Sequence, residues 1–124
     1  MPPVKGSPSA PLSPQVFHIL VALVDEDRHG YAIIQEVAER TDGEVRLTAS
    51  TLYAAIRRML ESGWIEELTG RRRPDEDPRR RYYRLTDLGR EVARVEARRL
   101  ERMAAMAREK RLLPKLQPAP VQRS

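Results

Sequence analysis

Residues 48–85 read TASTLYAAIRRMLESGWIEELTGRRRPDEDPRRRYYRL. The opening part, Thr48 to Gly63, carries a compact helix pattern. Thr48 is a cap whose hydroxyl can accept the free amide of Ser50 or Thr51. Leu52, Ile56, Met59 and Leu60 recur at helical spacing and form the stripe to be buried. Ser50, Ala54, Arg57, Arg58 and Glu61 fall on the other side. Gly63 stops the helix, because glycine enters the left-handed conformation that closes one. Two strand-like runs follow, WIEEL at 64–68 and RRYYRL at 80–85. Alternation in the second puts Tyr83 and Leu85 on one face, with Arg80, Tyr82 and Arg84 on the other. The connection, 69–79, holds Gly70, Pro74 and Pro78 and has little reason to pack. Arg71 to Arg84 contains seven arginines against Asp75, Glu76 and Asp77, a local net charge of +4, whereas the whole chain carries +5.

Upstream, Ser13 and Pro14 start a helix over 13–24, with a capping hydroxyl followed by proline at the first helical position. Val16, Ile19, Leu20 and Leu23 make its apolar face. Asp25, Glu26 and Asp27 form a turn. A second helix runs from His29 or Gly30 to Arg40, with Tyr31, Ile34, Val37 and Ala38 on one face, and Gly43 closes it. Downstream, Thr86 caps a last helix expected over 87–113, about 40 Å long at 1.5 Å per residue. Leu88, Val92, Val95, Leu100, Met103 and Met106 form its apolar stripe. That helix projects beyond a domain this small, so its natural partner is a second copy of itself, a homodimer. Glu91, Glu96, Glu101 and Glu109 on the polar face offset the flanking arginines, which weakens the rival reading of a helix lying on anionic lipid.

The resulting fold class is mostly α with a small β-hairpin. The order helix, helix, helix, hairpin is a winged helix-turn-helix over 13–86, followed by a long C-terminal dimerisation helix at 87–113. Prolines cluster at the ends, so 1–12 and 114–124 read as flexible tails.

The chain has 124 residues and no cysteine, which excludes disulfides and cysteine zinc sites and suits a reducing compartment. Its longest apolar run, QVFHILVALV at 15–24, falls short of the roughly 20 residues a membrane span needs. No secretory signal is evident, so a cytoplasmic location is expected and no membrane partner. His18 and His29 are the only histidines. Both read as structural, and the acids at 25–27 bring no further ligands at a metal-binding spacing. There is no glycine-rich phosphate loop and no nucleophile–base pair. No metal, no cofactor and no enzyme are expected.

Three strings resemble the PadR family of bacterial transcriptional regulators: HGYAIIQEV (29–37), LTASTLYAAIRRMLESGWIEE (47–67) and RRRYYRLTDLGRE (79–91). They cover about half of the chain in the family's order. The resemblance implies a winged-helix DNA-binding domain, a C-terminal dimerisation helix, and a dimer that binds an inverted repeat, most often as a repressor. A larger effector-binding C-terminal domain is not expected.

Double-stranded DNA is therefore the expected partner. The candidate contacts in the third helix are Ser50, Thr51, Tyr53, Arg57 and Arg58. Hydroxyls in a helix's first turn meet base edges or phosphates, and arginine can grip guanine with two hydrogen bonds. In the wing, Arg79, Arg80 and Arg81 at its base are the phosphate candidates, with Arg71, Arg72 and Arg73 beyond them. The acids are expected at the loop tip, where they would repel a backbone. The alternative for the arginines is a solvated run that keeps strand edges apart. Tyr83 and Trp64 read as core, and Tyr82 is open. Two rival functions stand beside DNA binding: a protein-interaction module, and a sensor of a hydrophobic small-molecule effector lined by Met103, Met106 and Trp64.

Overall fold

The computed structural model describes residues 11–69 and 74–117. Arg71, Arg72 and Arg73, and the outer parts of both expected tails (1–10 and 118–124), lie outside them. The elements are α1 (Pro14–Ala22), β1 (Arg28–His29), α2 (Gly30–Arg40), α3 (Ala49–Glu61), β2 (Ile65–Leu68), β3 (Tyr82–Leu85) and α4 (Asp87–Glu109).

Each helix begins on a side chain that accepts the amide three residues on. Ser13 accepts from Val16, His29 from Ala32, Thr48 from Thr51, and Thr86 from Gly89. These bonds satisfy amides that a helix start otherwise leaves without partners. At the other end of α3, Gly63 takes φ +77°. The amide of Trp64 then donates to the Met59 carbonyl at 2.9 Å and that of Gly63 to Leu60 at 3.1 Å, the paired bonds of a glycine-terminated helix.

The expected hairpin is present, and a third strand joins it. The sheet order is β1-β3-β2, all antiparallel, with His29 opposite Tyr82 and Ile65 opposite Leu85. β1 has two residues, too few for a period of two to show in the sequence. It places His29 directly beside the wing. Tyr83 and Leu85 are buried and Arg84 is exposed, as the alternation requires.

The core lies where α1, α2, α3 and the sheet meet α4. Ile19, Leu20, Ile33, Leu52, Met59 and Val92 are its most enclosed large side chains. Trp64 packs against its edge. The apolar face of α2 differs from the expected one. Gly30, Ile33 and Val37 are buried, Ile34 and Ala38 are half-buried, and Tyr31 is exposed. The expected stripe was centred one residue too far round the helix, because Tyr31 is half polar and fits a surface as well as a core.

α4 needs two corrections. It ends at Glu109 rather than 113, giving a length of about 34 Å. Its expected apolar stripe also splits. Val92 is buried within the protomer's own core, with Ala93, so it is not available to a second copy. Glu96, expected on the polar face, is buried on the same side, 4% exposed, because α1 packs on this half of the helix. Its carboxylate is bonded by Arg99 at 2.9 Å and lies 3.5 Å from the Leu12 amide, and the Arg99 bond holds its carboxyl below the usual range. Leu100, Met103 and Met106, farther along, are exposed, and Leu88 and Val95 lie at the margin.

The start of α4 is seated on the end of α3. The Thr86 amide donates to the Trp64 carbonyl at 3.0 Å, and its hydroxyl lies 2.7 Å from the Gly63 carbonyl. Gly89 sits directly over the Trp64 carbonyl, with Leu85 alongside, so a methyl group there meets backbone that cannot yield. Overpacking of this kind costs about 2 kcal/mol. Gly89→Ala is expected to lower Tm by roughly 10 °C in thermal denaturation. An unchanged Tm would show that the joint is loose.

Candidate nucleic-acid interface

The exposed face of α3 carries Ser50, Tyr53, Ala54, Arg57, Arg58 and Glu61. Opposite them Leu52, Ala55, Ile56 and Met59 are buried, so the helix is held by one side and presents the other. Among the described residues, Arg57 and Arg58 form no ion pair. At the helix start three hydroxyls converge. Thr48 Oγ1 lies 2.9 Å from Thr51 Oγ1 and 3.3 Å from Ser50 Oγ. Thr51 is thereby tied to the cap and half-buried, while Ser50 is the more open of the two.

Tyr53 links α3 to the wing. Its hydroxyl lies over Gly30, the first residue of α2, so closely that a Cβ there would be 2.5 Å away. Tyr53, His29, Gly30 and Tyr31 line one cleft of about 280 Å³ together with Arg79, Arg80 and Arg81. Of the residues expected to contact DNA, the structure therefore gathers Tyr53, Arg79, Arg80 and Arg81 around one space. Ser50, Thr51, Arg57 and Arg58 lie apart from it on α3.

Of the three acids expected at the loop tip, only Asp75 is exposed. Glu76 is buried, 7% exposed. Asp77 turns back onto the base of the wing. Its Oδ1 accepts from the Arg79 amide at 2.9 Å and from Arg79 Nε at 3.2 Å, and its Oδ2 lies 3.7 Å from Arg80 Nε. The Arg79 hydrogen bonds hold the Asp77 carboxyl below its usual range. Arg81 lies 3.7 Å from Glu67, and Arg84 3.1 Å from Asp27. Every described arginine of the wing faces a carboxylate. The charge of Arg79, Arg80, Arg81 and Arg84 is thus met in place by Asp77, Glu67 and Asp27.

His29 is the residue that sequence reasoning undervalued. It is not a common capping type, and its other partner lies 51 positions away. Nδ1 accepts the Ala32 amide at 3.1 Å, and Arg80 Nη1 lies 3.0 Å from Nε2. Its ring meets Tyr82 edge-on with centroids 5.3 Å apart, which resolves Tyr82 as a packing partner of the cap. Burial first, and the Arg80 guanidinium second, hold the imidazole below its ordinary value of 6.5, against an opposing pull from Asp77.

No group of residues suited to a metal occurs among the described residues, and no described helix is long and apolar enough to cross a membrane. The three side chains expected to line an effector site do not meet in one protomer. Trp64 packs at Gly89, whereas Met103 lies fourteen positions farther along α4, about 21 Å away.

Protonating His29 would cost the cap its acceptor and set a cation against Arg80. Since the folded-state value lies below 6.5, the unfolded chain takes up this proton first. The stability this group contributes is full above about pH 6.5 and declines as pH falls through the lowered folded value. His29→Asn keeps a capping acceptor and removes the titration. Denaturant unfolding between pH 7.5 and 5 should therefore lose less stability in His29→Asn than in the parent. Equal losses would exclude His29 as a source of acid sensitivity.

Comparison with known proteins agrees with this architecture. A model of the transcriptional regulator PadR-like family matches residues 19–95. An uncharacterized protein of Lysinibacillus sphaericus is 37% identical over 71 residues, 57% of this chain and 63% of that protein, so the chain spans under two thirds of the curated relative it matches. Among solved structures, a transcriptional regulator from Clostridium thermocellum is 26% identical with a TM-score of 0.65, covering 80% of this chain and 97% of that one. A PadR family transcription regulator from hypervirulent Clostridium difficile R20291 is 26% identical with a TM-score of 0.66, covering 76% and 94%. Bacillus subtilis PadR in complex with operator DNA shares the fold at 19% identity and a TM-score of 0.55, covering 92% of this chain and 54% of that one. With its three capped helices, its wing and its C-terminal helix, this chain belongs to the PadR-like family of transcriptional regulators.

Proposed function

We propose that the protein binds double-stranded DNA in a sequence-specific way, as a homodimer on an inverted-repeat operator, and represses by occluding a promoter. The observation that carries this reading is a pair of arginine-bearing surfaces, one on α3 and one at the base of the wing. An α3 face offers Ser50 and the unpaired Arg57 and Arg58, and Tyr53 joins it to a cleft lined by Arg79, Arg80 and Arg81. In this reading 13–86 is the DNA-binding domain, and α3 enters a major groove with Ser50 and Thr51 leading. Arg57 and Arg58 reach bases or phosphates, and the base of the wing lies along the backbone. The Bacillus subtilis neighbour that shares this fold is in complex with operator DNA, which supports duplex DNA as the partner.

Residues 87–113 are the dimerisation segment. Beyond Ala97, α4 presents Leu100, 40% exposed, Met103, 49%, and Met106, 58%, on a helix too amphipathic to leave that side in water. The same segment of a second copy covers it, with Leu88 and Val95 at the margin. An effector would enter the apolar groove of about 230 Å³ between α1 and α4, lined by Phe17, Val21, Val24 and Ala93.

Binding to labelled duplexes by anisotropy tests the reading. Arg80→Ala with Arg81→Ala should weaken binding to all duplexes and flatten the dependence of log K on log salt by about 0.9 for each lost phosphate contact. Thr51→Ala or Arg57→Ala should instead reorder affinities across a duplex panel, by roughly 1–3 kcal/mol at the bases read. A protein without duplex affinity at moderate salt would point to a protein-interaction module.

A further inference from the structure

We propose that Asp77 is an internal competitor for phosphate, a carboxylate that occupies the arginines at the base of the wing until a DNA backbone displaces it. The inference rests on the DNA-binding reading above and adds a device to it. A carboxylate and a phosphate offer arginine the same geometry, two oxygens to two N–H groups. Asp77 uses that geometry on Arg79, whose Nε and Nη2 lie 3.2 and 3.3 Å from its two oxygens. Its Oδ2 also faces Arg80 Nε at 3.7 Å. Both arginines line the cleft between α2 and the wing, so the acid lies at the rim of the space where a phosphate would enter.

The position of Asp77 is built rather than incidental. The Arg79 amide donates to its carboxylate at 2.9 Å, and its own amide faces the Tyr82 hydroxyl at 3.3 Å. Tyr82 in turn packs on His29, the cap of α2. Asp75, two residues earlier, is exposed and has no hydrogen bond or ion pair among the described residues. The two acids carry the same charge in the same loop, and only one of them holds the arginines.

An arginine released from a carboxylate to a phosphate gains little, since one partner replaces another. The freed carboxylate also takes up a cation, which cancels part of the counterion release that drives binding to DNA. Asp77 therefore lowers affinity for any duplex and flattens its salt dependence. It leaves sequence preference unchanged, because phosphate contacts carry no base information.

The test compares the full chain, Asp77→Asn and Asp75→Asn on one random-sequence duplex and one preferred duplex, from 50 to 300 mM salt. The Asp77→Asn side chain retains an oxygen for the Arg79 amide, so the turn is kept. Asp77→Asn should bind both duplexes about five-fold more tightly, with their ratio unchanged. The salt slope should steepen by about 0.9. Asp75→Asn should change affinity by less than about two-fold, the effect of net charge alone. Equal effects of the two substitutions, or an Asp77→Asn slope identical to the parent's, would overturn the competitor while leaving DNA binding intact. A parent with no salt-dependent duplex affinity would overturn the DNA-binding reading and this proposal together.

Discussion

The joint at Thr86, Gly89 and the Trp64 carbonyl is the constraint on which the arrangement depends. Thr86 caps α4, bonds the carbonyl that follows α3, and ends the strand that carries the wing. Gly89 lets α4 lie against that same carbonyl. Three parts with different tasks thus share one backbone site. The orientation of α3 relative to α4 is fixed there by sterics and hydrogen bonds, not by a flexible linker. If α4 joins two copies, this angle sets where each copy's α3 points, and so the spacing of the two half-sites.

Charge is distributed against the expectation that sequence density creates. The wing has the most arginines per residue, yet each described one is held by an acid from the same loop or from a neighbouring element. α3 has fewer, and Arg57 and Arg58 are uncommitted. In the proposed mode of binding such a surface would keep weak general attraction to polyanions and leave discrimination to the helix. In the proposed complex, binding along the wing would be an exchange of partners for its arginines, while binding by α3 would form contacts where none existed.

Much of this was legible in the sequence, for reasons particular to each element. Thr48, Gly63 and the Leu52–Ile56–Met59 stripe place α3 because cap, stop and period agree. Tyr83 and Leu85 declare their face by alternation. β1 was not legible, because two residues carry no period. Nor were the partners of the wing arginines, since Asp27, Glu67 and His29 are brought to them by sheet pairing. Glu96 misled because a carboxylate on a charged helix reads as solvated, whereas Arg99 and the packing of α1 allow its burial. The family's shape came through short strings such as TLY and YYRLT. Base contacts were not legible, because any exposed arginine or hydroxyl on α3 satisfies the pattern.

In the proposed complex two copies, joined through α4, each present α3 to a major groove. Selection of bound duplexes from a random pool, followed by sequencing, tests it most directly. A two-fold symmetric consensus is expected, with half-sites about one helical turn, or a multiple of it, apart. A single asymmetric motif, or a pool that shows no enrichment, would contradict it.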